Sequence, residues 1–538
     1  MQQATVGYWR ASNLAPAFDA VDVQAAAARL REPVHVVGDT TGRRIGVALA
    51  GSVSADAQSN GVPALPVMAT LPPMYPEWLG DQSFLQVHGV RFPYVAGAMA
   101  NGIATPRLVI AMAEAGMLGF FGAAGLAYHH VQAGIDEISA ALDARGLPWG
   151  ANLIHSPNEP ALEAKSAALY LQAGVKRVSA SAFMALSPAI VHYAYSGIRE
   201  VGGQVVRQTH VFCKISRSET ATHFLSPAPD SMLQTLVADG RLTADEARLA
   251  RTLPVAEDVI VEADSGGHTD NRTLTALFPV ILGLRDRLTE KYGYTRPIRV
   301  GAAGGLGTPS GVAAAFGLGA AFVLTGSVNQ GAVESGLSEK GRIMLAKADM
   351  ADVAMAPAAD MFELGVEVQV LKRGTLFSSR AKRLYDIYKS NTSLQTLSES
   401  ERTFVETKCL RASIADIQAE TEGFWGRRDP GELAKARANP KHMMALVFRW
   451  YLGLASRWAI VGEPGREVDY QIWCGPAMGA FNDWVKGSFL EAPENRTAVQ
   501  IARNLMEGAA AITRAQQLRS YGVCVPPGAF RFAPRPLE

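Results

Sequence analysis

From Phe92 to Ser327 short apolar runs alternate with longer Ala-rich stretches of helical pattern. Eight of the short runs read as strands: Tyr94–Gly97, Leu118–Gly122, Trp149–Leu153, Arg177–Ser181, Gln204–Lys214, Val259–Ala263, Ile298–Gly301 and Ala321–Thr325. Most are separated by a helical segment, as in Pro106–Ala115, Gly134–Arg145, Glu163–Ala173, Ser187–Val201 and Leu274–Lys291. Eight strand-then-helix units in about 240 residues predict a (β/α)8 TIM barrel. Ser231–Leu253, between the fifth and sixth strands, reads as an extra helical hairpin turning at Asp239-Gly240. A barrel tolerates such an insertion in its loops.

The flanks have different rhythms. Residues 1 to about 60 read as a small α/β unit, with Val21–Leu30 helical and Val34–Val37 and Gly46–Ala50 as strands. Pro63, Pro66, Pro72, Pro73 and Pro76 predict a connector that is neither regular helix nor central strand. From Val333 the pattern turns helical and longer, in Phe377–Tyr388, Leu397–Thr407, Lys441–Leu454 and Thr497–Arg519. The expected class is α/β, in three regions. Residues 1–85 form the N-terminal α/β unit and its connector, 86–332 the barrel, and 333–538 a mainly helical domain that closes over the barrel mouth.

Composition narrows the function classes. With 48% hydrophobic and 19% charged residues in 538, the chain has the makeup of a packed enzyme. A net charge of +1 excludes a broad nucleic-acid surface. Cys213, Cys409, Cys474 and Cys524 are far apart and have no metal spacing, so they read as reduced thiols of a cytoplasmic protein without a metal site. The opening MQQATVGYWRASN has no basic start before an apolar core, which predicts no signal peptide. Met443–Val461 is apolar but broken by Arg449 and Arg457, so a buried amphipathic helix is expected there rather than a membrane span.

Chemistry concentrates in Ile298–Gln330, where two consecutive strands each empty into a Gly-rich turn. Glycine amides unobstructed by Cβ atoms, together with a helix N-terminus, suit an anion. In a barrel the turns after strands seven and eight are where cofactor phosphate sits. Gly305-x-Gly307-x-x-x-Gly311 comes near the dinucleotide fingerprint but is misspaced, and no acidic residue closes a following strand.

The other strand ends carry polar groups that packing explains poorly. Asn152, Ser179, Ser181 and Lys214 lie at such ends, and Asp264-Ser265-Gly266-Gly267-His268 follows the sixth strand. An unpaired Lys214 would be costly in a core, whereas at a mouth it can meet an anionic cofactor group. Cys213 points the other way and reads as packing. His268 can give or take a proton near neutral pH. Asp264 either orients that ring, binds a ligand hydroxyl or caps its loop. Leu371–Lys389 gathers Lys372, Arg373, Arg380, Lys382, Arg383 and Lys389, either as a solvated helix face or as a dock for an acidic carrier.

Three stretches carry a family resemblance: AGAMANGIATPRLVIAMAEAGMLGFFGAAGL (96–126), VEADSGGHTD (261–270) and GAAGGLGTPSGVAAAFGLGAAFVLTGSVNQ (301–330). They resemble the FMN-dependent barrels of the nitronate monooxygenase and FabK-type enoyl reductase superfamily. MAPAADMFELGVEVQVLKRGTLFSSRAKRLYDIY (355–388), HMMALVFRWYLGLASRWA (442–459) and DYQIWCGPAMGAFNDWVKGSFLE (469–491) are similar to the PfaD-type trans-acting enoyl reductases of polyunsaturated fatty acid and trans-acyltransferase polyketide synthases. The resemblance covers essentially the whole chain.

It implies FMN at the barrel mouth, NADPH as reductant, and hydride transfer to Cβ of a 2-enoyl thioester on an acyl carrier protein within a synthase assembly. A homodimer is compatible with it. The phosphate would lie at Gly304, Gly305, Gly326 and Ser327, and the ring near Ala98, Met99, Asn152 and Lys214 with Gly266 and Gly267 lining it, while Ala303 would also belong to the cofactor site. His268 falls at the superfamily's active-site histidine. Where the superfamily usually reads Glu-Ala-Gly-Gly-His, this chain has Asp264-Ser265-Gly266-Gly267-His268. That leaves His268, Lys214 and water as rival proton donors. A nitronate oxidase is the alternative enzyme, and an idle carrier-binding scaffold the alternative from another class.

Overall fold

The structure, a computed structural model describing residues 5–57, 64–156 and 159–538, opens on five strands. These are β1 (Gly7–Arg10), β2 (Val34–Gly38), β3 (Ile45–Leu49), β4 (Ser52–Ser54) and β5 (Leu65–Leu71), in one antiparallel sheet of order β3-β2-β5-β1-β4. The helix Ala20–Ala27 packs on this sheet and is capped by Asp19, whose side chain accepts from the Asp22 amide. Pro66 departs from expectation, because it lies in β5, the middle strand. Ladder pairing from β2 stops at Val67, with a register shift between Val36 and Val37, so Pro66 is paired only to β1, opposite Tyr8. A strand end beside an irregularity is where a residue without an N–H fits. Pro63 lies outside the described residues.

Eight parallel strands then close a barrel: β6 (Tyr94–Ala96), β7 (Leu118–Phe121), β8 (Gly150–Ile154), β9 (Arg177–Ser181), β12 (His210–Ile215), β13 (Asp258–Glu262), β15 (Arg299–Ala303) and β16 (Val323–Thr325). β16 pairs with β6, Val323 opposite Tyr94, which completes the ring. The expected run Gln204–Lys214 is not one strand. Its first part is β11 (Gln204–Val206), which turns back on β10 (Arg199–Val201) through Gly202-Gly203, both at positive φ (59° and 77°). At the break the buried Arg207 bonds Glu257 at 3.2 Å and the Ala194 carbonyl at 3.1 Å. Phe120, Phe212, Ile260, Phe322 and Leu324 belong to one buried cluster with Phe84 of the preceding helix Gln82–His88, whose ring stacks on Phe322 at 4.4 Å.

Where the strands begin, the barrel floor is a buried charge network. Asp258 accepts from Arg299 through both oxygens (2.6 and 2.9 Å) and lies 3.1 Å from His88 Nε2, while Arg177 donates to His88 Nδ1 at 3.2 Å. Burial pushes the Asp258 carboxyl up, but Arg299 and His88 outweigh it and hold the group well below the usual range. Burial lowers His88 and, more strongly, His210. His88, His210 and Asp258 bring three metal-type ligand atoms within 4.8 Å of one another. Both Asp258 oxygens and both His88 nitrogens are already bonded, and two guanidiniums stand beside them, so the set is a plug rather than a cation site.

Beyond the barrel, the expected helices are accompanied by two strands that were not foreseen. β17 (Val353–Pro357) and β18 (Glu367–Leu371) form a hairpin, and β18 also pairs with the short β14 (Gly267–His268) at the barrel mouth. Met443–Val461 falls in the helix Pro440–Val461, packed into the core as expected. No helix among the described residues is long and apolar enough to cross a membrane. The helix Ala498–Ser520 joins the three regions. Its Gly508 lies against Pro309 of a barrel helix, its Leu518 enters the core of the N-terminal sheet, and Glu507 pairs with Arg31 at 2.6 Å.

Candidate active site at the barrel mouth

Strand order alone brings the sequence-picked residues to one rim. Ala303 pairs with Leu324 across β15 and β16, so Gly304-Gly305 and Gly326-Ser327 leave neighbouring strands side by side. Gly304 (φ 84°) passes so close to Ala263 and Asp264 that a Cβ would lie 2.6 Å from the Ala263 carbonyl carbon. Gly305 and Gly326 are the opposite case, since a Cβ on either would meet nothing within 4 Å. The two turns therefore border open space at Gly305 and Gly326, room that an anion at this rim would need. Asn329 ties the second turn to its strand, its Nδ2 donating to the Thr325 carbonyl (3.0 Å) and hydroxyl (2.9 Å). Ser327 does not point freely outward, because its Oγ accepts from the Gly475 amide at 3.3 Å.

Asn152 on β8 is buried and donates to the Ser179 carbonyl (2.9 Å) and Ser181 Oγ (3.0 Å) on β9, and among the described residues nothing donates to its side-chain carbonyl. Ala98 and Met99 follow β6 and pack part-buried against the barrel core. Lys214 is not alone, as its Nζ lies 2.7 Å from Glu262 Oε1 of β13, both about a fifth exposed. That ion pair explains how a lysine ends an apolar strand. Cys213 is fully buried, as expected of packing.

The loop after β13 differs most from its sequence reading. Gly266 is closely covered: a Cβ there would sit 2.8 Å from the Cys474 amide nitrogen. Gly267 (φ 84°) lies under the Trp473 ring, at 3.8 Å from a would-be Cβ. Gln369 Nε2 donates to Asp264 Oδ1 (2.7 Å) and to the Ser265 carbonyl (2.8 Å), so Asp264 is held by β18. The carboxylate facing His268 is Asp360, 3.5 Å from Nε2, in the connection between β17 and β18. Burial raises the Asp360 carboxyl, but the His268 bond and charge pull it to a net value below the ordinary one. Sequence reading missed Asp360 and Gln369. The alternation Glu367-Val-Gln-Val-Leu371 was the visible strand signal, but nothing in the chain announced which loop that strand would clamp.

Half of the basic segment's six cations are neutralised. Arg373 pairs with Asp352, Arg380 with Asp469, and Lys389 with Asp386 at 3.4 Å. Lys372, Lys382 and Arg383 remain as its exposed, unpaired cations among the described residues.

Residues 82–378 match the nitronate monooxygenase family, and residues 391–470 match the inserted helical domain of [acyl-carrier-protein] S-malonyltransferase. The chain belongs to the nitronate monooxygenase family. Within that family it stands with the PfaD-type trans-acting enoyl reductases. It is similar to a polyunsaturated fatty acid synthase component of Thraustochytrium sp., at 45% identity over 82% of this chain and 30% of the relative. Polyketide biosynthesis protein PksE of Bacillus subtilis is 44% identical over 83% of this chain and 58% of the relative. The chain thus spans well under two thirds of either curated relative. Its fold matches the crystal structure of the enoyl reductase domain of MlnA, from the macrolactin biosynthesis cluster of Bacillus amyloliquefaciens, with a TM-score of 0.79 and 37% identity over 82% of this chain and 99% of that one. Nitronate monooxygenase family membership makes the chain an oxidoreductase and implies a flavin. The open cradle at Gly305 and Gly326, on adjoining strand ends, fits a flavin's phosphate.

Proposed function

We propose that the protein is an FMN-dependent enoyl reductase acting in trans. It saturates the 2,3 double bond of an enoyl thioester on an acyl carrier protein, with NADPH as hydride source. The observation that carries this reading is the near-complete coverage of the MlnA enoyl reductase domain at 37% identity, over 82% of this chain. The match of residues 391–470 to a helical insert from an enzyme of acyl carrier protein chemistry supports a carrier-bound substrate, and the synthase relatives support an assembly as its setting.

Bound flavin would supply hydride to Cβ of the enoyl group. The protein's part is to hold and protonate. Gly304, Gly305, Gly326 and Ser327 offer amides and a hydroxyl to the phosphate. Ala98, Met99 and the side-chain carbonyl of Asn152 flank the ring position, and Lys214, balanced by Glu262, sets the charge beside it. His268 delivers the proton to Cα. Residues 1–85, 86–332 and 333–538 would serve as stabilising unit, cofactor barrel and carrier-facing domain.

The test is NADPH oxidation by flavin-loaded protein given a 2-enoyl chain on a carrier protein. Saturated product is expected, and His268→Ala should keep its flavin while losing about 10²-fold or more in turnover. Oxygen uptake with an alkyl nitronate, and no enoyl turnover, would replace this reading by the oxidase one.

A further inference from the structure

His268 belongs to the barrel by chain order but to the appended hairpin by hydrogen bonding. β14 pairs Gly267 with Gln369 and His268 with Val368 of β18, while Gln369 also grips Asp264 and Ser265. The link between β17 and β18 then delivers Asp360 to 3.5 Å from His268 Nε2. The charges around the ring come from several elements. Asp264 is occupied by Gln369, and Asp270 is held by Arg217 (2.7 and 2.8 Å) and Ser216 (2.6 Å). The charge of Arg449, on the helix Pro440–Val461, also lowers Asp360. Among the described residues, Asp360 is the carboxylate paired with His268.

We propose that Asp360 is the positioning residue of the proton donor. It takes the Nε2–H of His268, favours the charged ring, and leaves Nδ1 to carry the proton to Cα. In that step the Nδ1–H bond breaks, the new C–H bond forms with the electron pair left at Cα by hydride addition to Cβ, and the ring returns to neutral. The role rests on the reductase reading, while the pair itself does not. The PfaD-type hairpin is then part of the catalytic apparatus, and the shortened Asp264, given to Gln369, is not the histidine's orienter.

The experiment compares wild type, Asp360→Asn and Asp360→Glu in the flavin-loaded full chain. One readout is the NMR titration of His268, assigned against His268→Gln. The other is the pH profile of turnover with an enoyl carrier substrate. Because a carboxylate favours imidazolium, Asp360→Asn should move the His268 midpoint to lower pH. The alkaline limb of kcat should move down by the same amount with KM little changed, and Asp360→Glu should restore both. An unmoved midpoint overturns the proposal, and so does a moved midpoint with an unmoved alkaline limb. If wild type turns over no enoyl substrate, the reductase reading and the role in proton delivery fall together. The titration then still decides whether the pair exists.

Discussion

The two ends of the barrel use polar residues in opposite ways. At the floor, Asp258, Arg299, His88 and Arg177 are buried or nearly so and spend their hydrogen bonds on one another. At the mouth, Lys214 and His268 have one ion-pair partner each among the described residues and are part-exposed, and Gly305 and Gly326 face open space. Ionisation is strongly disturbed at the floor, where Asp258 is held well below the usual carboxylate range and His210 well below its usual value. Strong perturbation often marks a functional site. Here it marks stability, because Asp258, the charge at its centre, is fully buried and matched by Arg299 and His88. A barrel floor normally serves that end.

The contrast can be broken first at the floor. Arg299→Met leaves Asp258 buried with only His88 for compensation, and should lower stability by about 3–5 kcal/mol in a urea titration. At the mouth, Gly326→Asp places a carboxylate in open space against the expected phosphate. It should strip flavin from the protein, read by absorbance, while changing stability by less than about 1 kcal/mol. Normal flavin content in that variant would discredit the phosphate position. The gentlest probe is pH. His88 and His210 are neutral in the fold because burial lowers them, so the unfolded chain binds more protons once pH drops below about 6.5. Stability is full above that value and lost as pH falls. The slope of denaturation midpoint against pH between 6.5 and 5 should flatten in His210→Phe, a variant with one fewer such proton.

The same contrast explains what the sequence could reveal. The barrel was legible because each strand is a short apolar run followed by a helical one, and the Gly-rich turns at 304–305 and 326–327 stand beside their own strands in the chain. The break at Arg207 was hidden because an apolar run on either side of a buried arginine reads as one strand. Pro66 misled because its tolerance depends on where β2 stops pairing, a fact of tertiary register. The departure at Asp264 was visible as a residue change, but its consequence was not. Gln369 and Asp360 reach the loop from about 100 residues away. Local pattern reads a strand end well, and it is blind to what a distant hairpin lays across it.

The most direct measurement is the identity and amount of cofactor released from the purified protein by mild denaturation, read by absorbance and mass. One FMN per chain is expected, lost on Gly326→Asp. A protein that carries no flavin and cannot be loaded with FMN would contradict the reading of the mouth on which the proposed reaction stands.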